Sequence, residues 1–362
     1  MEYYSIFDKI EDASAQRDGR KVFEDFGQMR YSGTLESVLD TLERDISQTT
    51  PNSKTLVRIA FNAARIVRAA IDNKVSEKSA ESELLLVEAL DLAIEIYKNS
   101  DRAEDKIREF RKKVSKNLLG QIIFQRHDTA TWEATAPHRS QETANRIADR
   151  QKGSDIMMIA LAHGGVAAGI DVYLRYCDIT KSEGSILYTV RFSTQKLGDK
   201  EPKLTEREKR ALKGLGEERN VIIFDEDTCS GNTITSAQRF FREKVFGREV
   251  EAQVNLEMVK SYLEGFDKKT LGGPITYAVQ NYILDFKAHT GSLQITDPHA
   301  IEISDMFKTG MALGPSIGEI GSNKKEGLKV GESLEKYQNF LFELNNNKNK
   351  PPKYFEKNLL KI

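Results

Sequence analysis

Between Val221 and Thr235 the chain reads Val-Ile-Ile-Phe-Asp-Glu-Asp-Thr-Cys-Ser-Gly-Asn-Thr-Ile-Thr. Four apolar residues deliver three acids, and a small, hydroxyl-rich turn then leads into the start of a helix. The carboxylates of Asp225 and Glu226 repel a phosphate, so they suit ribose hydroxyls or a hydrated divalent cation such as Mg2+. Asp227, Thr228, Cys229, Ser230, Gly231, Asn232 and Thr233 form the loop itself. Thr228, Ser230 and Thr233 can donate hydroxyls to an anion. Gly231 lets backbone N–H groups close around a phosphate where a Cβ would block the approach, and the helix N-terminus adds partial positive charge. The chemistry of this stretch is the gripping of a sugar phosphate.

Two further segments suit the same ligand. Ile156 to Ala162 reads as a strand that ends in His163, Gly164, Gly165 and Val166, a second glycine turn before a helix from about Ala167. Between the two turns, Arg191 to Lys203 leaves a strand as a polar, basic segment. Its Arg191, Lys196 and Lys203 supply positive charge.

The segment from Asp225 to Thr233 resembles the signature of type I phosphoribosyltransferases: two acids, three variable residues, then Ser/Thr-Gly-x-Thr. By that resemblance Asp225 and Glu226 hold the ribose 2- and 3-hydroxyls, and Asp227 to Thr233 take the 5-phosphate. His163 to Val166 resembles the pyrophosphate loop, with His163 where a basic residue such as arginine is common. Arg191 to Lys203 resembles the loop that closes over substrate and excludes water, which makes Arg191, Lys196 and Lys203 candidates to neutralise the departing diphosphate. The likeness runs from about Gln121 to Met258. It departs at Cys229, where purine-salvage relatives place an acid, and at Asp227, where an apolar residue is frequent. The resemblance implies binding of 5-phosphoribosyl-1-pyrophosphate or a nucleotide with Mg2+, and displacement of pyrophosphate from ribose C1 by a nitrogen nucleophile. The same pocket would also serve a non-catalytic sensor of such ligands, or a toxin-like defence effector controlled through its helical region.

The elements that must position these residues can be read from apolar spacing. The branched aliphatic runs Ile156 to Ala162, Ser185 to Phe192, Val221 to Asp225 and Glu251 to Met258 predict strands of a parallel sheet covered by helices on both faces, with a helix around Thr205 to Lys213. The expected fold class is α/β, a phosphoribosyltransferase-like parallel sheet spanning 119–308, preceded by an α-helical bundle over 1–118. Bundle helices follow from helical spacing of Leu35, Val38, Leu39, Leu42 and Ile46, then of Leu56, Ile59, Ala63, Ile66, Val67 and Ala70. Two more follow from Leu84, Val87, Leu90 and Ile94, and from Ile107, Phe110 and Val114, with starts expected near Ser53 and Ser100. Residues 309–362 read as a glycine- and charge-rich loop, a helix from Ser333 to Leu344 and a tail.

Composition removes several function classes. No stretch approaches the roughly 18 apolar residues of a membrane span, and the amino terminus has no basic start before an apolar run, so a cytoplasmic protein is expected. A net charge of -1 gives no global footprint for nucleic acid. Cys177 and Cys229 are too few for a disulfide scaffold, and the five histidines lack the close spacings of a structural metal site. Expected partners are the phosphoribosyl ligand and, through the helical bundle, a second copy of the chain or a protein or ribonucleoprotein.

Overall fold

The computed structural model describes residues 3–14, 30–126, 134–193, 198–228 and 232–257. The chain divides into two compact units. One comprises Met1–Asp227 with Ser236–Leu256, the other Thr228–Thr235 with Glu257–Ile362. In the second unit the described residues are Thr228, 232–235 and Glu257. The expected helix from Ser333 to Leu344 lies outside the described residues.

The order of elements is α1 (Ile6–Ser14), β1 (Arg30–Thr34), α2 (Leu35–Ile46), α3 (Ser53–Glu77), α4 (Ala80–Tyr97), α5 (Ala103–Lys113), the single turn α6 (Lys116–Leu119), β2 (Ile122–Arg126), α7 (Pro137–Gln151), β3 (Ile156–Ala162), α8 (Gly165–Thr180), β4 (Ile186–Arg191), α9 (Glu206–Gly216), β5 (Asn220–Thr228), α10 (Asn232–Phe240), a π-helical turn (Phe241–Phe246) and β6 (Glu251–Glu257). The four later strands form a parallel sheet in the order β4-β3-β5-β6, flanked by helices. β3 lies at its centre with all seven residues buried, as an apolar run covered on both faces requires. Ala162 pairs with Arg191 of β4 and Ala160 with Phe224 of β5. That register brings the carboxyl ends of three strands side by side.

The helix starts follow local chemistry. The Thr34 side chain accepts from the Ser37 amide at 3.1 Å, and Asn52 accepts from the Thr55 amide at 3.0 Å. Thr205 and Glu208 form a reciprocal capping box at the head of α9. The helix expected from near Ser100 begins later: α5 opens at Ala103, after a turn in which the Ser100 hydroxyl accepts from the Arg102 amide at 3.2 Å.

The stripes expected on α2, α3 and α5 are buried, apart from the partly covered Ile46, but the one on α4 is out of phase. Leu84 and Val87 are 60% and 51% exposed, whereas Leu86, Ala89, Leu90 and Ala93 are buried. Apolar residues at 84, 85, 86 and 87 put hydrophobic surface on every side of the helix, so spacing alone leaves its rotation undetermined.

β1, β2 and α7 were not expected. β1 and β2 pair antiparallel, Arg30 opposite Arg126 through Thr34 opposite Ile122, and α7 covers the sheet. Buried residues of the amino-terminal helices, among them Val38, Ala63, Ile71 and Ile107, share one cluster with Ala162, Val166, Ile170 and Leu174. A second cluster joins Ile147 of α7 and Val172 of α8 to Met158, Ile222 and Phe224 of the sheet. α8 lies very close to that sheet: a Cβ on Gly169 would stand 2.9 Å from the Ala160 methyl.

Candidate functional site

β3 ends at Ala162, followed by a cis Ala162–His163 peptide, and α8 begins at Gly165 with Gly164 as its cap residue. β5, with Phe224 opposite Ala160, brings Asp225, Glu226 and Asp227 alongside the end of β3. The two segments touch. A Cβ built on Gly164 would lie 1.4 Å from Glu226 Oε1 and 2.0 Å from its Cδ, and one on Gly165 would lie 3.5 Å from the Asp225 Cα. Only a glycine allows the Glu226 carboxylate to rest against this backbone, at the positive end of α8. Glu226 is buried, Asp225 and Asp227 are half-buried, and the Glu226 amide donates to Asp225 Oδ1 at 3.1 Å. Val166 sits one residue into α8 with its side chain in the core, so it offers the site backbone alone.

His163 turns towards the helical region. Its Nε2 is 2.8 Å from Asp72 Oδ1 of α3. The same carboxylate has Arg191 Nη1 at 3.8 Å and Arg68 Nε at 3.9 Å. Burial pushes the His163 imidazole below its ordinary value of 6.5; the bond and charge of Asp72 pull the other way, and Arg68 and Arg191 add to the lowering. Burial opposes the charge on Asp72, but His163, Arg68 and Arg191 outweigh it and hold the carboxyl below 3.8. Both directions describe a neutral imidazole whose Nε2–H donates to a carboxylate, which fixes the tautomer and leaves Nδ1 an acceptor. The positive charge at this end of the sheet therefore comes from Arg68 and Arg191.

Arg191 closes β4, with its Nε 3.7 Å from Asp199 Oδ2. That Nε is buried and makes no hydrogen bond. Lys203 reaches the other Asp199 oxygen at 3.5 Å, and its carbonyl accepts from Lys74 Nζ of α3 at 2.8 Å. Lys74 also pairs with Glu208 at 2.8 Å, where the two side chains are 2% and 4% exposed. The Tyr188 hydroxyl donates to the same carboxylate. The far end of the segment that follows β4 is thus tied to α3.

No family model matches the chain, and neither does any curated protein or solved structure.

Of the residues singled out in the sequence, His163, Gly164, Gly165, Arg191, Asp225 and Glu226 stand at neighbouring carboxyl ends of β3, β4 and β5. Lys196, Cys229, Ser230 and Gly231 lie outside the described residues. Thr228 closes β5 and Asn232 opens α10, within which Thr233 is half-buried and Ile234 buried. Among the described residues no group of three or more His, Cys, Asp or Glu is arranged to hold a metal ion, and no helix is long and apolar enough to cross a membrane.

Sequence reasoning missed Arg68, Asp72 and Lys74, because the apolar stripe of α3 was read as packing alone. A signal was present. Asn62, Arg65, Arg68 and Asp72 recur at spacings of three and four, so they line one face of a helix whose other positions between 62 and 72 are alanine, valine and isoleucine. A polar file on a buried helix has to satisfy its charges somewhere.

Proposed function

We propose that the carboxyl end of the β3–β4–β5 sheet binds a phosphoribosyl diphosphate, and that the protein is a phosphoribosyltransferase-like enzyme displacing pyrophosphate from ribose C1. The supporting observation is the contact between Glu226 and Gly164: acids suited to ribose hydroxyls and a glycine turn suited to a diphosphate come from distant parts of the chain and meet. Ligands of open α/β sheets bind at this end of the strands.

Within that reading Asp225 and Glu226 orient the ribose, and the backbone amides at Gly164 and Gly165, heading α8, receive the diphosphate. Arg191 supplies charge to the leaving group, and its buried Nε gains an acceptor there; an unsatisfied buried donor costs about 1–3 kcal/mol. The resemblance in sequence assigns the 5-phosphate to Asp227 through Thr233, the segment that follows in the chain. Asp225 and Glu226 give only two carboxylates, a donor set that suits Mg2+ retaining waters and sharing phosphate oxygens. When bound, such a cation would offset negative charge on the diphosphate. The nucleophile would be a ring or amide nitrogen, with water excluded because it competes for the same carbon.

A second reading, a regulatory protein that binds the ligand without turning it over, draws support from α3. That helix of the amino-terminal region supplies Asp72 to His163 and Lys74 to the Lys203 carbonyl, so it is bonded to two of the segments assigned to the ligand.

The two readings separate in one assay. Phosphoribosyl pyrophosphate and Mg2+ are incubated with the protein and a panel of bases and amines, and pyrophosphate is measured. Release that depends on one added nucleophile supports the transferase; saturable binding without release supports the sensor; neither binding nor release removes both.

A further inference from the structure

A polar cavity lies in the amino-terminal region. It has a volume of about 390 Å³, and its wall includes Tyr31 of β1, Arg44 and Asp45 of α2, and Arg58, Asn62 and Arg65 of α3. Three guanidinium groups and one carboxylate line it. Asp45 is fully buried and is gripped through both oxygens by Arg58, Nε at 2.7 Å and Nη2 at 2.9 Å. Arg65 is 1% exposed, donates from Nη1 to Asn62 Oδ1 at 2.8 Å and stacks with its Cζ 3.9 Å from the Tyr31 ring centre. Burial lowers its pKa to about 10, Tyr31 pulling it up and Arg68 down, which still leaves the group cationic at neutral pH.

We propose that this cavity is a binding site for a small phosphomonoester, a sugar phosphate or a nucleoside monophosphate. Charge selects the class: three arginines less one aspartate leave a wall of +2, and a phosphomonoester carries about −1.5 to −2 at pH 7. Geometry agrees, because guanidinium forks match phosphate oxygens in pairs, and Asn62 and Tyr31 hold the Arg65 fork in one orientation before any ligand arrives. Size sets the upper limit. The cavity is near the small end of ligand pockets, roughly 300–1,000 Å³, large enough for more than a bare anion and too small for a polymer.

The site stands independently of the phosphoribosyl site, and the test keeps them apart. Ribose 5-phosphate, adenosine 5′-monophosphate and inorganic phosphate are titrated calorimetrically into the wild-type chain, into Asp225→Asn/Glu226→Gln, and into that double variant with Arg44→Ala or Arg65→Lys added. The carboxylate double variant, which disables the sheet's carboxyl end, should still bind one or both organic phosphates, and Arg44→Ala or Arg65→Lys placed on that background should bind at least about tenfold more weakly, the scale of one charge-assisted pair. Which of the two binds tells sugar phosphate from nucleotide. Arg44 is 66% exposed, so its variant carries the test even if Arg65→Lys misfolds. Absence of binding by both organic phosphates would overturn the proposal. So would binding that disappears in the carboxylate variant, which would place the ligand at the other site, or binding that Arg44→Ala on that background leaves unweakened.

Discussion

The carboxylate of Glu226 lies against the backbone of Gly164, with Oε1 only 1.4 Å from where a methyl group on that glycine would stand. Gly164 has φ −66° and ψ −50°, a conformation open to any residue, so the glycine is required by its neighbour rather than by its own backbone. Gly164→Ala should therefore displace the Glu226 side chain while disturbing the fold little. Expected are a stability loss of about 1 kcal/mol or less in urea denaturation and a tenfold or greater loss of phosphoribosyl pyrophosphate binding. A large loss of stability with unaltered binding would mean that the contact serves packing instead.

Lys74 and Glu208 form an ion pair that is almost fully withdrawn from water. Lys74→Met leaves the Glu208 charge buried with the Tyr188 hydroxyl and the Thr205 amide as its hydrogen-bond donors. Breaking one side of such a pair costs about 3–5 kcal/mol. The double variant Lys74→Met/Glu208→Leu should recover part of that loss, and denaturation midpoints of the single and double variants measure it.

The His163–Asp72 pair makes the protein sensitive to acid. A histidine whose folded pKa lies below its unfolded value of 6.5 binds its proton more readily when unfolded, so its contribution to stability falls as pH drops through 6.5. Asp72, held below 3.8, adds stability above that value that is lost as pH falls through its folded pKa. Both terms point the same way. The His163 ring resonance should titrate below pH 6.5 in an NMR series, and Asp72→Asn, which removes the carboxylate that raises it, should move the midpoint lower still. A midpoint above 6.5 would assign the imidazole a positive charge at the site.

Much of the sheet was legible because its strands are short apolar runs closed by turns. Ile156 to Ala162 matches β3 residue for residue, and the other three strands lie within three residues of their expected ends. The helix expected around Thr205 to Lys213 is α9, Glu206–Gly216. The antiparallel pair β1–β2 was not legible, since Arg30–Thr34 contains one aromatic and no aliphatic residue and its partner lies some ninety positions on. Rotation of α4 escaped for the reason that every face is apolar. At the site, glycines and acids stood out by type, but the reach of α3 into it did not: Asp72 and His163 are 91 residues apart, and nothing local in either segment encodes their contact.

The measurement closest to the central proposal is equilibrium binding of labelled phosphoribosyl pyrophosphate, with and without Mg2+, to the wild type and to Arg191→Ala, Asp225→Asn and Glu226→Gln, each checked for native circular dichroism. Saturable binding by the wild type, weakened roughly tenfold or more by each substitution, the scale of a lost charge-assisted contact, is the expected result. Folded variants that bind as tightly as the wild type, or a wild type that does not bind at all, would contradict it.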